Sequence, residues 1–223
     1  MKHKAFFAAV ALSAALVGQV TGLSAGVESS RPTGRAIVAA TGIRNGLCVQ
    51  VGCGDGRLTA ELAGAGDFLV HALALDAAAV VKARAYLRTR GLYGRAVVEQ
   101  LSIGELPYNE NTVNLLVSAE LSRAGSAGLS VREVLRALVP GGAAFLGGEA
   151  MKARQVEAWK SAAERAGAVG CRLLRRGGGT WVVFRKARPA GLGEWTHHDG
   201  GPKGRWVADD LLAGPPARLK WIE

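Results

Sequence analysis

Hydrophobic positions in this chain switch repeatedly between a strand period and a helix period. Leu47, Val49 and Val51 alternate with Cys48 and Gln50, which predicts a strand over Leu47–Val51. The run stops at glycine, and Gly52, Gly54 and Gly56 follow at every second position. Arg57–Ala65, RLTAELAGA, then reads as a helix. Phe68–Leu75 is almost continuously apolar, as in a parallel strand covered on both faces, and it ends at Asp76. An alanine-rich helix is predicted for Ala77–Arg90, with Lys82, Arg84, Arg88 and Arg90 turned outward and Gly91 or Gly94 ending it. A third strand spans Ala96–Glu99, and the loop Ser102–Asn111, SIGELPYNEN, has its path fixed by Pro107. Val113–Ser118 is a fourth strand. Ser130–Leu138 is a helix whose Ser130 and Glu133 have the capping-box spacing. Pro140-Gly141-Gly142 reads as a turn, Ala143–Leu146 as a fifth strand and Glu149–Ala166 as a long helix. Cys171–Arg175 and Thr180–Phe184 flank the turn Gly177-Gly178-Gly179 and predict an antiparallel hairpin.

Strands alternating with helices through residue 185 predict an α/β fold. The expected architecture is a three-layer sandwich around a mostly parallel, Rossmann-like sheet, with the antiparallel C-terminal hairpin at one edge. A short helix over Gly34–Ile43 leads into it, after the linker Glu28–Thr33. Three segments are expected: a signal peptide over 1–25, the α/β domain over 26–188, and a Gly/Pro/Trp-rich extension or linker over 189–223. The leader has a basic start at Lys2, His3 and Lys4 and an apolar run from Ala5 to Val17 broken only by Ser13. That run is too short to span a bilayer comfortably, and Leu23-Ser24-Ala25 is an imperfect small-residue cleavage site. The reading implies export to the periplasm or the extracellular space, with membrane anchoring if the leader stays uncleaved. No other transmembrane segment is expected.

The extension shows neither strand nor helix period, yet holds three of the chain's five tryptophans, Trp195, Trp206 and Trp221. Such a composition points to docking on a protein partner more than to a random tail. The formal charge of +10 is weighted to the same end: residues 26–169 carry 16 basic and 13 acidic side chains, residues 170–223 carry 10 and 5. Arg172, Arg175, Arg176, Arg185, Lys186 and Arg188 cluster there, but few aromatics are interleaved and no base-reading motif is present. The cluster reads as a solvated basic surface, and nucleic acid is not an expected partner. Three cysteines, Cys48, Cys53 and Cys171, make no disulfide framework and have no zinc spacing. Cys53 lies beside helix N-terminal amides that would lower its pKa, yet it reads as a small, semi-buried, inert residue. His197, His198 and Asp199 lack a third, distant ligand and read as a polar loop, so no metal is expected.

The strand, glycine turn and helix of Leu47–Ala65 carry the candidate chemistry. Glycines let the backbone turn sharply and approach a ligand that a Cβ would block, and the free amides at the helix start favour negative charge. The stretch VQVGCGDG resembles the first motif of class I S-adenosylmethionine-dependent methyltransferases. The likeness extends to LPYNENTVNLLV (Leu106–Val117), before and in the fourth strand, and to VLRALVPGG (Val134–Gly142) before the fifth. It covers residues 40–185. It implies that Gly52, Cys53, Gly54, Asp55 and Gly56 wrap the cofactor S-adenosyl-L-methionine, and that Asp76, ending the second strand, accepts from both ribose hydroxyls. The family's acidic residue after strand three, which contacts the adenine amino group, is here Ser102, with Glu99 and Glu105 as off-register substitutes. An aspartate common just before strand four is here Asn114.

The family places the end of strand four opposite the transferred methyl, which implicates Ser118, Ala119 and Glu120. Glu120 is the ionisable member and the candidate catalytic base, against the alternative of an exposed loop carboxylate. No NPPY-type signature of amino-group methylation is present, and the acceptor is not legible. Residues 188–223 resemble the segment that, in exported bacterial proteins, joins a methyltransferase-like domain to a quinoprotein-like propeller. No blade follows it in this sequence. The expected function is S-adenosylmethionine-dependent methyl transfer to an unknown acceptor. The alternative is a catalytically inactive exported scaffold or interaction module. A nicotinamide-dependent oxidoreductase is disfavoured because position 57 is Arg and breaks the GxGxxG spacing, and no hydride-transfer set such as Tyr-x-x-x-Lys is present.

Overall fold

The computed structural model describes residues 32–101, 103–149 and 151–192. Within them the chain order is α1 (Gly34–Thr41), β1 (Asn45–Val51), α2 (Arg57–Ala65), β2 (Asp67–Ala74), α3 (Ala77–Thr89), β3 (Ala96–Gln100), β4 (Val113–Ser118), α4 (Leu121–Ser126), α5 (Val131–Ala137), β5 (Leu138–Gly148), α6 (Ala153–Arg165), β6 (Val169–Arg176) and β7 (Gly179–Arg185). The leader and the tryptophan-rich extension lie outside the described residues.

The strands form one sheet in the order β3-β2-β1-β4-β5-β7-β6. Neighbours from β3 to β5 are parallel, whereas β7 runs antiparallel to both β5 and β6. The expected three-layer α/β sandwich with an antiparallel C-terminal hairpin is therefore present. On one face Ile37, Leu62, Ala83 and Leu87 from α1, α2 and α3 pack against Cys48, Val70 and Leu115. On the other Leu121, Val134 and Val156 from α4, α5 and α6 pack against Val49, Leu116 and Leu146. From β1 the chain winds outward to β3, then returns to place β4 on the other side of β1. The winding direction thus reverses between β1 and β4, the position where open α/β sheets leave a crevice at the carboxyl ends of their strands.

Three elements differ from the sequence reading. The alternation in β1 does not separate a buried from an exposed face: Cys48, Val49, Gln50 and Val51 are all buried because β1 is central and helices cover both faces. Pro140-Gly141-Gly142 does not separate two elements. It is an irregularity within the long strand β5, where the register with β4 shifts between Val113 and Leu115. Gly141 N donates to Lys186 O at 2.9 Å, and Lys186 N donates to Gly142 O at 3.0 Å, so β7 holds the irregular segment in the sheet. Glu149 does not begin the last helix. Gly147 and Gly148 still pair with Trp181 and Thr180, so the chain must first turn away from the sheet before α6 starts at Ala153.

The connection between β3 and β4 contains no helix and is clamped by α5 instead. Leu106 N donates to Glu133 Oε1 at 2.6 Å, and Arg136 donates to Tyr108 O at 2.7 Å and to Leu106 O at 3.1 Å. Arg136 also pairs with Glu133 at 2.6 Å. This pairing, helped by the Leu106 amide and opposed by partial burial, holds the Glu133 carboxyl below its ordinary range.

Two stability predictions follow from this packing. A Cβ at Gly147 would lie 2.8 Å from Trp181 Cα, between backbones that cannot separate without breaking β5–β7 pairing. Gly147→Ala is expected to cost about 2–3 kcal/mol, a fall in Tm on the order of 4–12 °C in a thermal melt. Glu133→Gln is expected to cost about 1–2 kcal/mol at neutral pH. Because the folded pKa of Glu133 is depressed, its contribution is complete above the unfolded value and disappears as pH falls through the folded one. The Tm gap between parent and variant should therefore close on acidification, and melts at neutral and strongly acidic pH check it.

Candidate active site

Gly52, Gly54 and Gly56 have φ of 81°, 52° and 84°, so the turn after β1 lies in left-handed backbone space at every second residue. Gly52 N donates to Leu73 O at 2.8 Å, which ties the turn to the end of β2. A buried side chain supports it from below: Gln50 Nε2 donates to Gly52 O at 3.0 Å, while Gln50 Oε1 accepts from Thr59 Oγ1 of α2 at 2.8 Å. Gln50 escapes sequence reasoning because it sits at an alternating strand position and looks outward. The available signal was a polar residue two positions before the first glycine.

The three glycines face different neighbours. A Cβ at Gly56 would lie 2.9 Å from Ala83 Cα, so this glycine allows α2 and α3 to approach. A Cβ at Gly52 would lie 3.0 Å from Glu120 Cβ, and one at Gly54 would meet Glu120 Oε1 at 3.2 Å with nothing else within 4 Å. Gly52, which is buried, and Gly54, which is half-buried, thus leave their backbone bare beneath the Glu120 side chain. That is a cradle a side chain would fill, and it fits the backbone-lined part of the expected cofactor site. The other two turn residues look elsewhere. Asp55 pairs with the Arg57 guanidinium at 3.0 Å and accepts from Arg57 N at 3.1 Å. Cys53 is buried, and desolvation, with Glu120 adding to it, pushes its thiol up to about 11. The lowering expected from helix amides does not prevail, and the thiol is protonated at neutral pH.

Asp76 follows β2 and caps α3, its Oδ1 accepting from Ala79 N at 2.8 Å. Its Oδ2 lies 2.9 Å from Arg123 Nη2. The Ala79 amide, then Arg123, hold this carboxyl below its usual range. Arg123 also reaches Glu120 Oε2 through Nη1 at 2.6 Å. Arg123 lies on α4, an element the sequence reading missed because LSRAGS has no apolar period and contains Gly125. One guanidinium therefore spans from the residue ending β2 to the residue following β4, beside the glycine turn.

Ser118, the last residue of β4, is fully buried, and its Oγ has no hydrogen-bond partner among the described residues. Ser102 lies outside the described residues. Glu99 is directed to His71, with Oε2 at 3.2 Å from Nε2, an approach too poorly aligned for a hydrogen bond. His71 Nδ1 is 2.8 Å from the Tyr108 hydroxyl, whose pKa burial pushes up. This group is held at mid-strand on β2, below the glycine turn. Next to Glu120 and Arg123 a cavity of about 270 Å³ opens, lined also by Gly147, Gly148, Glu149 and Trp181. It adjoins the crevice at the ends of β4 and β5. Among the described residues no cluster of three or more His, Cys, Asp or Glu could hold a metal, and no helix is long and apolar enough to cross a membrane.

Comparison with known proteins agrees with this geometry. A family profile described as a methyltransferase domain matches residues 49–142. No curated protein sequence matches. Among solved structures, a protein from Methanococcus maripaludis assigned as an S-adenosyl-L-methionine-dependent methyltransferase superposes with a TM-score of 0.59 at 20% identity, over 70% of this chain and 84% of that one. A SAM-dependent methyltransferase from Aquifex aeolicus gives 0.55 at 18% identity, over 68% and 88%. The phosphoethanolamine N-methyltransferase 2 of Haemonchus contortus, solved with S-adenosylhomocysteine, gives 0.57 at 11% identity, over 70% and 52%. The matched profile, described as a methyltransferase domain, covers the glycine turn, Asp76 and the strand-four loop, and the sheet around them has the fold of these solved methyltransferases.

Proposed function

We propose that this protein binds S-adenosylmethionine between the Gly52–Gly56 turn and Asp76 and transfers its methyl group to an acceptor seated in the cavity beside Glu120. The observation that carries the reading is the hydrogen bond from Gly52 N to Leu73 O, which sets the bare glycine backbone beside the carboxylate three residues further along the chain. The bound cofactor supplies a methyl already activated by a sulfonium. What remains for the protein is alignment and the exclusion of water. Asp76, already oriented as the α3 cap, offers its free lone pairs to the ribose diol. Gly52 and Gly54 admit the chain of the cofactor against the backbone. Glu120 stands at the junction between this recess and the cavity, where it can take a proton from an acceptor that must lose one. Gly147, Gly148 and Trp181 form part of the cavity's wall.

A second reading, a scaffold without turnover, draws on one observation: both oxygens of Asp76 already have partners, Ala79 N and Arg123. Titration of the purified full chain with S-adenosylmethionine separates the two. The parent is expected to release or absorb heat on binding. Asp76→Asn, which keeps an N-cap side chain but removes the charge, is expected to bind at least about tenfold more weakly. Equal affinities would remove Asp76 from the site, and no binding by the parent would leave the scaffold reading. Glu120→Gln is expected to reduce transfer of labelled methyl to a panel of amine, hydroxyl and thiol acceptors by about 10²- to 10⁴-fold. Its cofactor affinity should stay within about threefold of the parent. An undiminished rate would leave Glu120 as a wall residue.

A further inference from the structure

We propose that Arg123 is a built-in competitor of the cofactor, occupying the ribose-binding oxygen of Asp76 and yielding it when S-adenosylmethionine enters. This rests on the cofactor site proposed above. Oδ1 of Asp76 already accepts from Ala79 N in the α3 cap, which leaves Oδ2 as the oxygen with more of its lone pairs open to a vicinal diol. Oδ2 is the atom that Arg123 Nη2 holds at 2.9 Å. The same guanidinium holds Glu120 Oε2 at 2.6 Å through Nη1, so it lies across the recess like a strap fixed at both ends. Glu120 in turn packs over the positions where Gly52 and Gly54 lack side chains.

The strap is displaceable. The Arg123 and Asp76 side chains are 56% and 47% exposed, and an ion pair this wet is weak and screened by salt. The Glu120 end is better buried, at 22% exposure, so Arg123 keeps that partner when Asp76 changes hands. Arg123 also lines the adjoining cavity, which gives the released guanidinium a place beside the proposed acceptor site. Occupancy of the ribose site and the shape of the cavity are thereby coupled through one side chain.

The competing role for such an arginine is a clamp on the amino-acid carboxylate of the cofactor, and the two roles predict opposite results. Dissociation constants are measured for S-adenosylhomocysteine and for 5′-methylthioadenosine, which has the ribose but no amino-acid group and no net charge. If Arg123 competes for Asp76, Arg123→Leu binds both ligands about two- to fivefold more tightly than the parent. Added salt should also tighten binding of the uncharged nucleoside to the parent and do little to the variant. The salt arm needs only the parent, so a variant that fails to fold does not remove the test. Weaker binding of S-adenosylhomocysteine with unchanged methylthioadenosine would establish the clamp and overturn the proposal. Unchanged affinities for both, or no salt response in the parent, would equally overturn it. Binding of neither ligand by parent and variant would overturn the cofactor site itself along with the strap. Binding by the variant alone would support both.

Discussion

The site depends on a short piece of backbone that has no side chains and is held from two sides. Gly52 is bonded through its N–H to β2 and through its C=O to the buried amide of Gln50. These two bonds fix the turn as it leaves the sheet, in a left-handed conformation that residues with a Cβ resist. The Gln50 amide also bonds Thr59, so the floor of the turn and the first turn of α2 are joined by one buried network in which each polar atom is paired. A buried amide with both ends satisfied is stable, and one with a missing partner is costly. Position 50 therefore links the geometry of the glycine turn to the core.

Charge at the mouth of the site is concentrated in three side chains. Asp76, Arg123 and Glu120 come from the ends of β2 and β4 and from α4, elements separated in sequence and brought together because the winding reverses between β1 and β4. The many other arginines do different work. Arg185 donates to Thr41 O and to Gly141 O, and Arg172 donates to Ala40 O. They satisfy carbonyls at the C-terminus of α1, a helix with no basic residue in its own last turn. Part of what reads in the sequence as a solvated basic cluster is thus cross-sheet stitching, supplied by the hairpin to the first helix.

Sequence periodicity recovered the elements whose packing is repetitive. The helix Arg57–Ala65 and the strand Val113–Ser118 have the bounds their patterns predict. It failed where local signals have two structural meanings. Pro140-Gly141-Gly142 is turn chemistry, but the same residues suit an irregular stretch inside a strand when a neighbour supplies bonds to the freed backbone groups. Gln50 and α4 were lost for the opposite reason. A single buried amide has no period, and a six-residue helix offers too few turns to show one. Among the candidate residues, Glu120 packs over Gly52 and Gly54 and is joined to Asp76 through Arg123. Gly56 and Asp55 turn instead to α3 and to Arg57. Spacing identifies that a glycine is needed, whereas only tertiary contacts show whether a ligand or a helix needs it.

The placement of Asp76 carries a consequence for recognition. A carboxylate that caps a helix has one oxygen and one orientation fixed by the backbone, so its remaining valence is presented in a defined direction without an added supporting residue. The cost is that this valence can be claimed by any donor of suitable reach, and α4 provides one three residues after Glu120. The β3–β4 connection is held down by α5, and among the described residues the cation paired with Asp76 is Arg123 of α4. The same short helix borders the cavity beside Glu120. Changes in α4 would alter the cover over Asp76 and the shape of the neighbouring cavity together, while the glycine turn beneath stays fixed by Gln50 and Leu73.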